Sequence, residues 1–228
     1  MTLQERLEAR IRAKSILTHP FYQAWQAGKL TLGDLKFYAQ QYYFFEANFP
    51  RFLSAIHARC PEREVRQDIL DNLWDEEHGV RNHRMLWLDF CGGLGLDADS
   101  VEYFAVHPNT QALLDTYESI CFDGTFQEGL AAIFAYEFQV PQVALEKIRG
   151  LKEFYGITDG PSLKFFETHS VMDQDHSQRE AAAIYRHTLP EDEPEVEGAL
   201  QSALDAWWGF LDGVEEQRRS KFVSTIAH

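Results

Sequence analysis

The sequence is short of cysteine, of basic residues and of long apolar runs, and each shortage removes a class of protein. Its three cysteines, Cys60, Cys91 and Cys121, lie far apart and form no C-x-x-C pair, which argues against a disulfide framework and suits a reducing, cytoplasmic setting. Acids outnumber Lys plus Arg by 36 to 21, and the formal net charge of −15 repels nucleic acid and anionic membrane surfaces, so neither is an expected partner. The opening MTLQERLEARIRAKSIL mixes charge through every turn, and no uncharged run reaches bilayer length. Neither a signal peptide nor a membrane span is expected. Alternating strand patterns, internal repeats and low-complexity tracts are missing as well, which leaves helices.

The 228 residues suffice for a sizeable core. Leu3, Leu7 and Ile11 open an amphipathic helix that should stop near THPFY, where Pro20 disfavours helix at His19. The stretch from Thr31, a fitting N-cap, to Cys60 reads as one long helix kinked or broken at Pro50. The next helical stretch, EREVRQDILDNLWDEEHGVRNHRMLWLDFCGGLG, is bent or interrupted near Gly79 and closed by a glycine-rich turn. Two more follow, around NTQALLDTYESICF and FQEGLAAIFAYEFQVPQVALEKIRGL, the second broken by Pro141. PSLKFFETHSVMDQDHSQREAAAIYRHT comes next. An acidic link at 190–198 then precedes a last helix carrying Trp207, Trp208, Phe210 and Leu211. The expectation is an all-α bundle of about seven to eight helices forming a single domain over 1–228.

Chemistry concentrates in three of these helices. At about 100° per residue, His169, Asp173 and His176 fall within about 60° of one another on a face flanked by Phe165, Phe166 and Met172. Glu76 and His83, seven apart, return to within about 20° of a common face, whereas Glu77 and His78 point elsewhere on a regular helix, a distortion at Gly79 leaving His78 open as a further ligand. Glu137 is enclosed by Leu130, Ile133, Phe134, Tyr136 and Phe138, and a carboxylate so placed needs a metal, a base or a proton. The pairs Asp75–His78 and Asp173–His176 imitate the Glu-x-x-His of ferritin-like sites, but strict Glu-x-x-His does not occur. Glu76, His83, Glu137, His169, Asp173 and His176 are enough for two metal ions, and mixed oxygen and nitrogen donors without thiolate suit Fe or Mn and O2 activation.

With THPFYQAW, QYYFF, DEEHGVRNH, AYE and HSVMDQDH in order over nearly the whole chain, the sequence resembles the haem-oxygenase-like di-metal oxidases. Within them it looks most like the group named for the Chlamydia protein associating with death domains, CADD. The resemblance implies a TenA/PqqC-like helical fold, usually a homodimer, with an Fe/Fe or Mn/Fe centre. It also implies formation of p-aminobenzoate, a folate precursor, from a tyrosine of the protein itself, with O2, an external reductant and a lysine as nitrogen donor. Carried across, that tyrosine is Tyr22, the lysine Lys147, and Tyr136 matches a tyrosine beside the metals. Read from the residues alone, Tyr22 is a packing residue at a helix start and Lys147 a solvated helix-end cation. Phe165 is redox-inert where some relatives place a tyrosine.

Other readings stay open at this stage. A di-metal oxidase could act on a diffusible molecule by N-oxygenation or oxidative decarboxylation, or the fold could serve a non-enzymatic interaction protein. A TenA-like thiamin hydrolase would need one of the three cysteines as nucleophile, whereas free cysteines are most simply read as packing residues.

Overall fold

Helices begin where the sequence supplies caps. Thr2, Thr31 and Thr125 each accept a hydrogen bond from a backbone N–H three residues on, and Glu5, Asp34 and Glu128 return the bond to the cap, which satisfies the open donors of a first turn. His19 is extended and caps the helix begun by Pro20, its Nδ1 accepting the Phe21 N–H at 3.2 Å. The structure, a computed structural model, describes the backbone of residues 1–226 and the side chains of residues 1–173 and 175–220. Its helices are α1 (Leu3–Ala13), α2 (Pro20–Gln26), α3 (Leu32–Arg59), α4 (Arg63–Glu77), α5 (His83–Gly93), α6 (Ala98–Glu102), α7 (Pro108–Asp123), α8 (Phe126–Glu137), α9 (Val140–Phe154), α10 (Gly160–His187) and α11 (Glu193–Ile226), with a 3-10 turn at Ile16–Thr18. No strand occurs among the described residues.

The helix count exceeds the expected seven or eight for identifiable reasons. Gly79 and Pro141 divide two expected helices completely, and the short α2 and α6 add two more. Pro50 does the opposite: α3 runs through it unbroken, although proline forfeits the hydrogen bond to the Glu46 carbonyl. Most of the acidic link expected at 190–198 is helical too, since α11 starts at Glu193. Acids in its first turn complement the helix dipole, and Glu193 and Glu197 pair with Arg6 and Arg10 of α1.

One buried core runs from Leu3 to Val214. Central in it is α8, whose Gly129 lies against Ile56 of α3 and whose small Ala131, Ala132 and Ala135 are buried where α7, α10 and α11 pack on it, as helix faces of small residues permit. A helix buried on nearly every side delivers Glu137, at its end, to the interior. On the opposite flank α9 lies against α2 at Gly150, where a Cβ would come within 2.6 Å of the Trp25 indole. That contact seats α2, and therefore Tyr22, on α9. Among the described residues no helix is long and apolar enough to cross a membrane.

Candidate metal centre

Glu76 and His83 meet, but not on one helix. α4 ends at Glu77, the chain turns through Gly79 at φ +91°, and Asn82 caps a new helix whose first residue is His83. Glycine adopts that backbone conformation without the Cβ penalty. The shared-face argument from seven-residue spacing is thereby corrected. Across the break His83 Nδ1 lies 2.8 Å from Glu76 Oε1, yet the nitrogen makes no aligned hydrogen bond. Glu77 and His78 are exposed as expected, His78 stacking on Trp74 at 3.8 Å.

α10 presents His169, Asp173 and His176 as a buried stripe and extends it one turn to Glu180. The His169 Nδ1 lies 2.8 Å from the Phe165 carbonyl, and since a carbonyl only accepts, Nδ1 carries the proton and Nε2 keeps its lone pair. That is the usual arrangement of a metal-binding histidine. Its Nε2 faces Glu76 Oε1 at 3.9 Å. A carboxylate absent from the expected set, Glu46 of α3, completes this group: ligand atoms of Glu46, Glu76, His83 and His169 all lie within 4.8 Å of one another. The sequence signal for Glu46 was the one that identified Glu137, a lone acid among aromatics in QQYYFFEANFP.

Glu137, Asp173 and His176 form an adjoining group with Glu180. Asn72 donates to Glu137 at 3.0 Å, and His176 Nε2 lies 3.3 Å from Asp75 Oδ2. Asp75 thus reaches across to α10 rather than pairing with His78. Glu137 Oε2, Asp173 Oδ2, His176 Nδ1 and both oxygens of Glu180 are buried with no donor group facing them, and Glu137 and Glu180 can be joined only by a shared proton. So many orphaned acceptors in one interior would be costly in an ordinary core. They fit a cation-binding interior, and the mixture of carboxylate and imidazole fits Fe or Mn.

The electrostatics agree with that fit. Burial and the charge of Glu76 push Glu46 up to about 8. Burial opposes a charged ring at His83, but Glu76 outweighs it and holds His83 at about 9. His169 is driven down to about 4 by burial and by His83. Burial and Glu137 raise Asp173 well above the ordinary carboxylate range. Without a cation the carboxylates cannot all be charged at once.

Beside the first group lies an enclosed aromatic chamber whose lining includes Tyr22, Tyr42, Tyr136, Lys147, Phe165 and His169. Tyr22 is 2% exposed, with its hydroxyl 3.1 Å from that of Tyr38. Lys147 is buried, not a solvated helix end, because Val140, Val143, Ala144, Lys147 and Leu151 form the inward stripe of α9. Its Nζ lies 5.1 to 5.8 Å from the ring centres of Tyr22, Tyr38, Tyr42, Trp87 and Phe166, and burial lowers its pKa to about 7. The Tyr136 hydroxyl contacts that of Tyr42, while its ring stacks on Trp207 at 4.6 Å. None of the cysteines lines the chamber, and burial pushes the Cys91 and Cys121 thiols up to about 12.

Comparison with known proteins follows the same lines. The family model described as iron-containing redox enzyme matches residues 36–208. The chain is 41% identical over 225 residues to the 4-aminobenzoate synthase of Nitrosomonas europaea, spanning 94% of this chain and 92% of that one. It is 38% identical to the 4-aminobenzoate synthase of Chlamydia muridarum, spanning 95% and 91%. Among solved structures, a CADD-like protein of unknown function from Nostoc punctiforme matches with a TM-score of 0.79 at 19% identity, covering 95% and 96% of the two chains, a likeness of fold.

Proposed function

The chain belongs to the CADD-like group of the haem-oxygenase-like, iron-containing redox enzymes, and from that premise we propose that it forms p-aminobenzoate from the side chain of its own Tyr22. Lys147 is the nitrogen donor, and O2 and an external reductant are consumed. The observation that carries this reading is the shared chamber: Tyr22, Lys147 and the metal-facing His169 line one enclosed cavity.

Glu76, His83 and His169 with Glu46 would hold one ion, and Glu137, Asp173 and His176 the other. When bound, the pair supplies O2 activation and one-electron oxidation. The protein's own groups do the rest. Ring contacts with Phe21, Trp25 and Tyr38 fix the Tyr22 ring, and a hydrogen bond between the Tyr22 and Tyr38 hydroxyls orients its phenol. Product geometry follows from the substrate. The amino group of p-aminobenzoate stands para to the carboxyl, where tyrosine carries its oxygen, so nitrogen must leave the lysine Cε and arrive at the phenol carbon as the phenol oxygen departs as water, while O2 oxidises Cβ to the carboxyl with cleavage of the Cα–Cβ bond. An amine with pKa near 7 is substantially neutral at physiological pH and nucleophilic there. Phe165 lies between Tyr42 and His169, at 6.2 and 4.1 Å, and as a redox-inert ring it cannot itself hold the oxidising equivalent. Tyr42 and Trp87 are the oxidisable rings against Phe165.

The test is incubation of metal-loaded protein with reductant and O2 but no aromatic substrate, followed by product assay and peptide mass. The reading expects no more than about one p-aminobenzoate per chain, a limit set by a substrate that is part of the chain, and a mass loss confined to the Tyr22 peptide. Equal release from Tyr22→Phe protein would show that the ring comes from elsewhere.

A further inference from the structure

The aromatic chamber serves the Glu46 side of the centre. A second pocket leads to the other side. It runs between α4 and α10, with Asp68 and Arg179 at its mouth, Ile69 among its apolar walls, and Asn72, His176 and Glu180 at its inner end. The reaction described above gives Glu180 no task.

Both ends are unusual. At the mouth Arg179 is held by aspartates of two helices, with nitrogen to oxygen distances of 3.6 Å to Asp68, 3.2 Å to Asp71 and 2.7 Å to Asp175. Side chains there are 40% to 67% exposed, and ion pairs that open to water are weak and readily exchanged. Displacing Arg179 would leave three carboxylates facing solvent at the start of a path inward. At the inner end Glu180 is 7% exposed and Asn72 3%; no donor faces the Asn72 Oδ1, and Glu180 faces a second acid, Glu137, with which it can only share a proton. Leucine or glutamine would sit there more cheaply unless the acid receives a cation. Every unpartnered oxygen at that end is a hard donor of the kind divalent cations prefer.

We propose that this pocket is the path by which divalent metal ions load the centre. Asp68, Asp71 and Asp175 collect the hydrated cation, drawn by the negative field of the whole protein. Arg179 is the displaceable plug, and Glu180, helped by the Asn72 carbonyl oxygen, receives the ion and passes it to Glu137 and His176. The proposal rests on the two-metal reading of the site.

Mn(II) uptake by chelator-stripped full-length protein, followed as loss of the free-ion EPR signal, tests it. Wild type fills slowly to two ions per chain. Arg179→Ala fills about tenfold faster, the lower end of what electrostatic focusing can give, while Arg186→Ala, an equal charge change on the same helix, fills at the wild-type rate. Glu180→Gln fills about tenfold more slowly or more, the scale on which supporting groups tune metal sites. Glu180→Asp falls between wild type and Gln, and circular dichroism identifies any variant that fails to fold. Wild-type rates in both Arg179→Ala and Glu180→Gln overturn the path and leave the two-metal reading standing. Wild-type protein that takes up no metal overturns both.

Discussion

At the scale of single residues the site is built on denied alternatives. His169 has its Nδ1 proton committed to the Phe165 carbonyl, which leaves its Nε2 lone pair facing Glu46, Glu76 and His83. Asp173, pushed up by burial and by Glu137, can be charged at neutral pH only beside a cation. Removing one such ligand should therefore cost metal rather than fold: Asp173→Asn or His169→Ala should lose about half the bound metal at equilibrium or more, by elemental analysis of dialysed protein. Asp175→Asn, at a side chain 63% exposed, should keep the full complement. In metal-free protein Asp173→Asn should match or exceed wild-type melting temperature at neutral pH, since it removes the cost of protonating a buried carboxylate.

Lys147 gives a prediction with a definite sign. Its pKa is about 7 in the folded protein and near 10.4 in an unfolded chain, so between those values the unfolded state binds more protons and stability rises with pH. The penalty for burying this amine is complete below about pH 7 and gone above about 10.4. Lys147→Met should therefore stabilise metal-free protein most at pH 6, on the order of a few kcal/mol from the size of the shift. The gain should shrink at pH 9.5, as urea denaturation would measure. A pH-independent gain would mean that the amine is not desolvated as described. The same variant should release no p-aminobenzoate.

At the scale of elements, breaks matter as much as helices. The Gly79 turn lets Glu76 and His83 approach from separate helices, and the Pro141 break ends α8 at Glu137. Gly150 fixes the distance between α9, which carries Lys147, and α2, which carries Tyr22. Gly150→Ala would drive a methyl group into the Trp25 indole. It should lower stability by about 1–3 kcal/mol, as overpacking does, and slow product formation with metal content unchanged. An unaltered rate would show that the seating of α2 is not set there. Element boundaries were readable where chemistry forces them, at Thr31, Pro20 and Pro141. They were misread where context overrides propensity: Pro50 stays inside a helix held by the buried Phe49, Phe52 and Leu53 around it, and the acids of 193–197 continue a helix because α1 supplies arginines.

At the scale of the whole molecule, the fold class was legible because helical periodicity and missing strand patterns are properties of the sequence itself. The buried stripe of His169, Asp173 and His176 on α10 was legible for the same reason. Glu76 and His83 were brought together by an argument about a continuous helix that the Gly79 turn replaces. Glu46 and Glu180 went unnoticed, the first hidden in an aromatic run and the second one turn beyond the stripe that pointed to it. The inward position of Lys147 was not visible in its own neighbours either, since charged residues on both sides conceal the stripe of α9. Tertiary proximity of Tyr22, Lys147 and His169, which lie on three different helices, belongs to the folded state alone.

That proximity is the basis of the account, and isotope labelling tests it most directly. Protein grown with ring-labelled tyrosine, loaded with metal and exposed to reductant and O2 without added aromatic, should release p-aminobenzoate carrying the full ring label. The amount should not exceed about one equivalent per chain, because the substrate is a single covalently held side chain, and the Tyr22 peptide should lose the matching mass. Unlabelled product, or continued turnover with Tyr22 intact, would contradict it.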